Sequence, residues 1–178
     1  MAGYYTYVLS SLPALTPTLK MPLSYARFLE ACRGLIDDEE AAVLETLRGW
    51  DPARWLASEA PFLRQWRHFE IALRNELVRQ RAVRRHVDAG KHLREDGLVD
   101  IWIAQIAVNA VRNPSLLEAE RYLDEERWKK LDELCLGHHF DFDALLAYGM
   151  KLLILERWER VAAADKTKVL EETLATAS

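Results

Sequence analysis

No proline falls between Phe62 and Asn113, and at the head of that stretch Phe62, Trp66, Phe69, Leu73 and Leu77 recur at steps of four, three, four and four. Such steps place five large apolar side chains on one stripe of a helix with 3.6 residues per turn. A strand would scatter them over both faces. The spacing predicts one long helix from about Ser58 to Val87, with this stripe in a core.

Composition extends that reading to the rest of the chain. Leu and Ala together number 51 against 16 Val plus Ile, and unbranched side chains keep more rotamer freedom in helices. The expected fold is all-α, an irregular bundle of six to eight helices around the long one, with a short extended N-terminal segment. At 178 residues and 50% apolar the chain can bury a core without cross-links, and a single helical domain over residues 1–178 is expected. Cys32 and Cys135 make at most one bridge, too few for a disulfide framework, which favours a reducing compartment. The opening Met1–Leu9 lacks the basic region of a secretory signal. The longest apolar stretch, Ala144–Leu155, is interrupted by Lys151 and falls short of the roughly 20 residues that cross a bilayer. The expected location is cytoplasmic, with no direct membrane insertion.

Punctuation sets the remaining elements. Residues 1–23 read as an aromatic lead-in, with Tyr4, Tyr5 and Tyr7 on a short strand or a first helical turn, followed by a proline-punctuated segment through Pro22. Ser24 caps a helix to about Ile36, and Asp37–Glu40 open the next with acids in its first turn, where the helix dipole favours them; Gly49 closes it. Asp51-Pro52 starts a short turn carrying Trp55 and Leu56. His86–Gly97 reads as a connection and Leu98–Val111 as a helix, with Val99, Trp102, Ile103, Ile106, Ala107 and Ala110 at helical spacing. Asn113-Pro114 breaks the chain, and Ser115–Glu118 is a capping-box pattern for a helix ending near Gly137. Asp141 caps a helix over about Phe142–Ala163, and Asp165 starts a last amphipathic piece.

Charge is the sharpest functional signal. Between Arg64 and Arg94 nine basic residues face three acids, a surplus of six in a chain of net charge −4. Arg67, Arg74, Arg81 and Arg85 fall within about 40° of one another on the long helix, beside its apolar stripe. They suit either docking of an acidic partner helix or phosphates, or pairing with the chain's own acids on a solvated face. Nucleic acid is disfavoured by the pI near 5.8 and by the lack of a binding motif.

Other clusters read more plainly. Cys135, His138, His139 and Asp141 are zinc-compatible ligand types at short spacing, but no second Cys-x-x-Cys or His-x-x-x-His element accompanies them and Asp141 is wanted as a cap. No base or orienting group is evident for either thiol. Glu39-Glu40, Glu125-Glu126 and Glu171-Glu172 read as solvated helix surface. No glycine-rich phosphate loop is present. Gly149, inside a helical pattern, costs about 1 kcal/mol relative to Ala and points to a close helix approach.

Three segments, Tyr4–Pro13 (YYTYVLSSLP), Ile71–Ala82 (IALRNELVRQRA) and Leu145–Trp158 (LLAYGMKLLILERW), together resemble an uncharacterised bacterial family encoded within V-type ATPase operons. That family is similar to the C (or d) subunit of V/A-type ATPases, an all-helical, non-catalytic cap between the rotor shaft and the membrane proteolipid ring. The resemblance implies a coupling or assembly subunit with no catalytic residues and no cofactor, cytoplasmic and peripheral to the inner membrane, with stalk or ring subunits as partners. A full C subunit is much longer than this chain. An interface of about 1,600 Å² rests on a few aromatic or arginine anchors, and Arg67, Arg74, Arg81, Arg85, Tyr4, Tyr5 and Tyr7 are the candidates. The alternatives are a general helical adaptor for acidic or phosphorylated ligands and a small metal-dependent enzyme centred on Cys135, His138, His139 and Asp141.

Overall fold

Serine and aspartate caps, with proline and glycine breaks, divide the chain into its helices. The computed structural model describes residues 4–17, 20–48, 60–94 and 100–176, with residues 165–176 as helix backbone alone. Among these the elements are α1 (Tyr5–Ser11), α2 (Tyr25–Cys32), α3 (Asp38–Leu47), α4 (Pro61–Arg85), a 3-10 turn (Gly90–His92), α5 (Ile101–Arg112), α6 (Leu116–Leu134) and α7 (Phe142–Thr176). The fold is all-α, as periodicity and composition predict. Backbone contacts gather into two compact units, Met1–Arg48 with Gly137–Ser178, and Gly49–Leu136.

In the first unit α7 is the centre, and α1, α2 and α3 pack on it. Leu145, Leu146, Met150 and Leu152 of α7 are fully buried, together with Val8, Phe28, Leu44 and Leu47. Ser24 caps α2 by accepting from the Arg27 amide. The buried Tyr25 hydroxyl donates to the Leu44 carbonyl at 2.6 Å, tying α2 to α3. Gly149 lies where a Cβ would come within 3.1 Å of Phe28 and 3.5 Å of Tyr25, so its missing side chain is what lets these rings approach. The proline-punctuated segment is fixed at two points: the Tyr148 hydroxyl donates to the Pro13 carbonyl, and the Met21 amide donates to Glu159.

In the second unit α4 packs along α5, and both meet α6. Phe62, Trp66, Phe69, Leu73 and Leu77 are all buried, as their spacing predicts, and face a core with Ile103, Ile106, Ala107, Leu123 and Leu131. Pro61 stands at the first helical position, where a missing N–H costs nothing. The far end closes at His86, a left-handed residue (φ 54°), and the Val87 amide reaches back to the Ala82 carbonyl in the six-to-one pattern that ends many helices. Ser115 and Asp100 cap α6 and α5 by accepting from Glu118 and Trp102 amides.

Several expected boundaries move. Of the two readings of the N-terminal tyrosines the helical turn holds and the extended segment does not: Tyr5 and Tyr7 lie in α1, with Tyr4 just before it. Helix α2 ends at Cys32, four residues before Ile36, because Arg33 is extended and Gly34 turns left-handed (φ 73°). Helix α7 does not stop near Ala163: it runs to Thr176, since neither Gly nor Pro follows Gly149 and Ala162–Ala164 favour propagation. Helix α4 begins at Pro61. Ser58, Gly49, Val99 and the Asp51-Pro52 turn with Trp55 and Leu56 lie outside the described residues.

Candidate interaction site

The α4 stripe that builds the second unit also carries a charge into it. Glu70 lies four residues after Trp66 and three before Leu73, in phase with the apolar side chains, and is buried. A lone buried carboxylate is expensive, and α6 supplies its partner. Arg127 Nε donates to Glu70 Oε1 at 2.7 Å, and its Nη1 donates to Asp124 Oδ1 at 2.8 Å. Burial opposes the Arg127 charge, but Glu70, and then Asp124, more than offset that and hold its pKa above the ordinary value. Two further acids on these helices are buried beside a basic neighbour one turn on: Glu76 with Arg79, and Glu126 with Lys129. The Glu125-Glu126 pair is therefore not uniformly solvated surface: Glu126 stands in phase with Ala119 and Leu123 and turns inward with them.

The four arginines of the basic flank share α4 but not one environment. Arg67 and Arg74 are half-buried, whereas Arg81 and Arg85 are exposed. Arg74 donates to the His92 carbonyl at 3.0 Å, and nearby Arg84 donates to the Val111 carbonyl at 3.2 Å. These bonds fix the guanidinium planes without neutralising them, because the acceptors are uncharged. Beside Arg74 the Asn75 amide clamps the backbone of Arg94 with two 2.9 Å bonds, one donated and one accepted.

Two cavities adjoin this flank. One, of about 440 Å³, lies between Arg74, Arg81 and Arg127 and the α6 residues Glu120 and Leu123. The other, of about 450 Å³, continues past Arg81 to Arg84 and Arg85, with Ala119 and Leu116 on the facing side. They share Leu77, Arg81, Glu120 and Leu123, and so form a continuous groove between α4 and α6. Its floor is apolar, from Leu77, Leu123, Ala110 and Ala119, and its rim is mostly cationic.

In the first unit, Tyr4 and Tyr7 are about two-thirds exposed. Tyr5 is turned inward, its hydroxyl 2.6 Å from both carboxylate oxygens of Glu40, and burial together with that carboxylate raises its pKa. Of the three tyrosines, Tyr5 is thus committed to the fold. The His138 cluster is also internally paired. His138 Nδ1 lies 2.6 Å from Asp141 Oδ2 and 3.7 Å from Asp143, while Asp141 Oδ1 accepts from the Ala144 amide and caps α7. The Asp141 hydrogen bond raises the His138 pKa against a smaller opposing effect of burial. His139 is exposed. Among the described residues no group of three or more His, Cys, Asp or Glu side chains is placed to hold a metal ion. Cys32 is buried, Cys135 half-buried, and the two form no disulfide; burial pushes the Cys32 thiol up to about 12.

Sequence reasoning found the basic flank but missed the Glu70–Arg127–Asp124 network and the groove. The signal for the network was present in the phase of Glu70 with Trp66 and Leu73, and of Asp124 with Trp128 and Leu131. Nothing local announces a groove, which requires knowing that α6 lies along α4.

The molecule is thus an all-helical protein with internally paired buried charges and an arginine-rimmed groove. A family model described as a protein of unknown function (DUF2764) matches residues 102–174, a stretch running through α5 and α6 and most of α7. No curated protein and no solved structure matches the chain. Among the described residues no helix is long and apolar enough to cross a membrane.

Proposed function

We propose that this chain is a non-catalytic helical subunit or assembly factor of a bacterial V-type ATPase, similar to the C/d cap that joins the rotor shaft to the proteolipid ring. The observation that carries the reading is the resemblance of Tyr4–Pro13, Ile71–Ala82 and Leu145–Trp158 to the family encoded with such ATPases. The match of residues 102–174 to a family of unknown function includes the third of those segments and is consistent with it. An all-helical fold suits a cap. In this reading the protein is cytoplasmic and peripheral to the inner membrane, held there by stalk or ring subunits, and it works through contact, with no cofactor and no bound nucleic acid.

Affinity capture of the tagged chain from native membranes at low salt tests the proposal. Recovery of stalk or ring subunits in a fixed ratio is the expected result. Their clean absence overturns it. The arginine-rimmed groove also favours a second reading, a general helical adaptor for acidic ligands, which predicts capture of partners unrelated to the ATPase. Stoichiometric zinc in protein purified without a histidine tag would instead favour an enzyme centred on Cys135, His138, His139 and Asp141.

A further inference from the structure

From the groove between α4 and α6 we infer that this face of the second unit receives an acidic amphipathic helix of about three turns from a partner protein. The inference rests on the reading of this chain as a contact subunit and names the partner chemistry of one surface.

Length comes first. The cationic rim extends along α4 from Arg74 to Arg85, eleven residue steps, which at 1.5 Å per step is about 16 Å, or three helical turns. The floor is the outer edge of the core residues Leu77, Ala110, Ala119 and Leu123, each more than nine-tenths buried, and the exposed Pro114 and Leu116 continue it at the open end. A helix laid along such a floor presents apolar residues at i, i+3, i+4 and i+7. Leu116, at the open end, is three-quarters exposed and stands where the first of those residues would rest.

Charge selects the occupant. Arg81 and Arg85 are exposed, and no ion pair among the described residues uses either guanidinium. Arg74 and Arg84 spend hydrogen bonds on carbonyls but keep their full charge. Against these four cations Glu120 is the acid that lines both cavities. Arg127, which also lines the groove, is already neutralised by Glu70 and Asp124. The uncompensated charge therefore sits on the rim above an apolar floor. That arrangement matches carboxylates flanking an apolar stripe. A bare phosphate would leave the exposed Leu116 and Pro114 of the lining uncovered, and a nucleic acid backbone would find no aromatic platform among the lining residues.

The test uses the full chain and a fluorescein-labelled peptide of about twelve residues, with Leu at i, i+3, i+4 and i+7 and Glu and Ala elsewhere. A small interface of this kind gives affinity in the micromolar range, about 10–100 μM. The expected result is saturable binding, weakened about tenfold by Arg81→Ala together with Arg85→Ala, and weakened also by Leu116→Asp, with far-UV circular dichroism of each variant unchanged. Amide shifts in NMR should map to α4 and α6. Equal binding of a scrambled peptide of the same composition overturns the inference, as does binding indifferent to these substitutions or no saturable binding. Displacement by inorganic phosphate beyond that by chloride of equal ionic strength, or tighter binding of a single-stranded DNA of similar length, also overturns it. The two readings fail separately: capture that loses the ATPase subunits while the peptide still binds defeats the functional proposal alone. Capture that succeeds with a groove-indifferent peptide defeats the groove alone.

Discussion

At the scale of single residues the most consequential group is Arg127. Its guanidinium hydrogen-bonds two buried carboxylates, Glu70 and Asp124, so its removal takes a counter-charge from both rather than merely deleting contacts. Arg127→Met is expected to lower stability by about 3–5 kcal/mol in urea unfolding, and a triple replacement with Glu70→Leu and Asp124→Leu to recover most of that loss. His138 offers a pH test. Its folded pKa is raised above the ordinary 6.5, chiefly by the Asp141 hydrogen bond. Its contribution to stability is therefore fully present below about 6.5 and is lost as pH rises through the higher folded value. The ring is only partly covered, so the effect on stability is small and the titration itself is the readout: the NMR midpoint of His138 should lie above 6.5 and fall in Asp141→Asn, which keeps an oxygen to cap α7. A buried thiol held near 12 is inert at neutral pH. Alkylation of native protein should therefore spare Cys32 until denaturant is added.

Elements show how locally each helix is specified and where that stops. Ser24 and Ser115 cap as their residue types lead one to expect, and Asn113-Pro114 marks a boundary from the sequence alone, whereas Pro61 and the Asp100 cap start helices that the sequence places near Ser58 and at Leu98. His86 runs against preference, since a β-carbon is strained in the left-handed region. His86→Gly, at an exposed position, is expected to raise the urea midpoint by an amount equivalent to about 0.5–1 kcal/mol, the relief of strain exceeding the entropy that glycine adds to the unfolded chain. Gly149 shows the opposite constraint. A β-carbon there would lie 3.1 Å from Phe28 and 3.5 Å from Tyr25, so Gly149→Val, whose methyls reach further still, should cost about 1–3 kcal/mol through overpacking. Helix α7 illustrates a boundary that local signals misplace: Asp165 reads as a start, yet a helix already propagating through alanines extends past one polar residue at little cost.

For the whole molecule, each unit is organised by one deeply buried helix. The slowest-exchanging amides should therefore fall in two places, the middle of α4 around Phe69–Leu73 and the Leu145–Leu155 stretch of α7, when native-state hydrogen exchange is followed by NMR. A single slow cluster confined to one of them would contradict this.

Sequence alone determined the class of fold, the long helix and its apolar stripe, most helix starts, the close approach at Gly149 and the cluster of arginines on α4. All of these depend on spacing within one element, where 3.6-residue periodicity and capping chemistry act over a few neighbours. Tertiary structure alone decided which acids are buried, that Tyr5 answers Glu40 while Tyr4 and Tyr7 stay exposed, and that the arginines rim a groove rather than a flat flank. Those outcomes depend on which helix comes to lie beside which, and residues 57 positions apart such as Glu70 and Arg127 carry no local mark of their meeting.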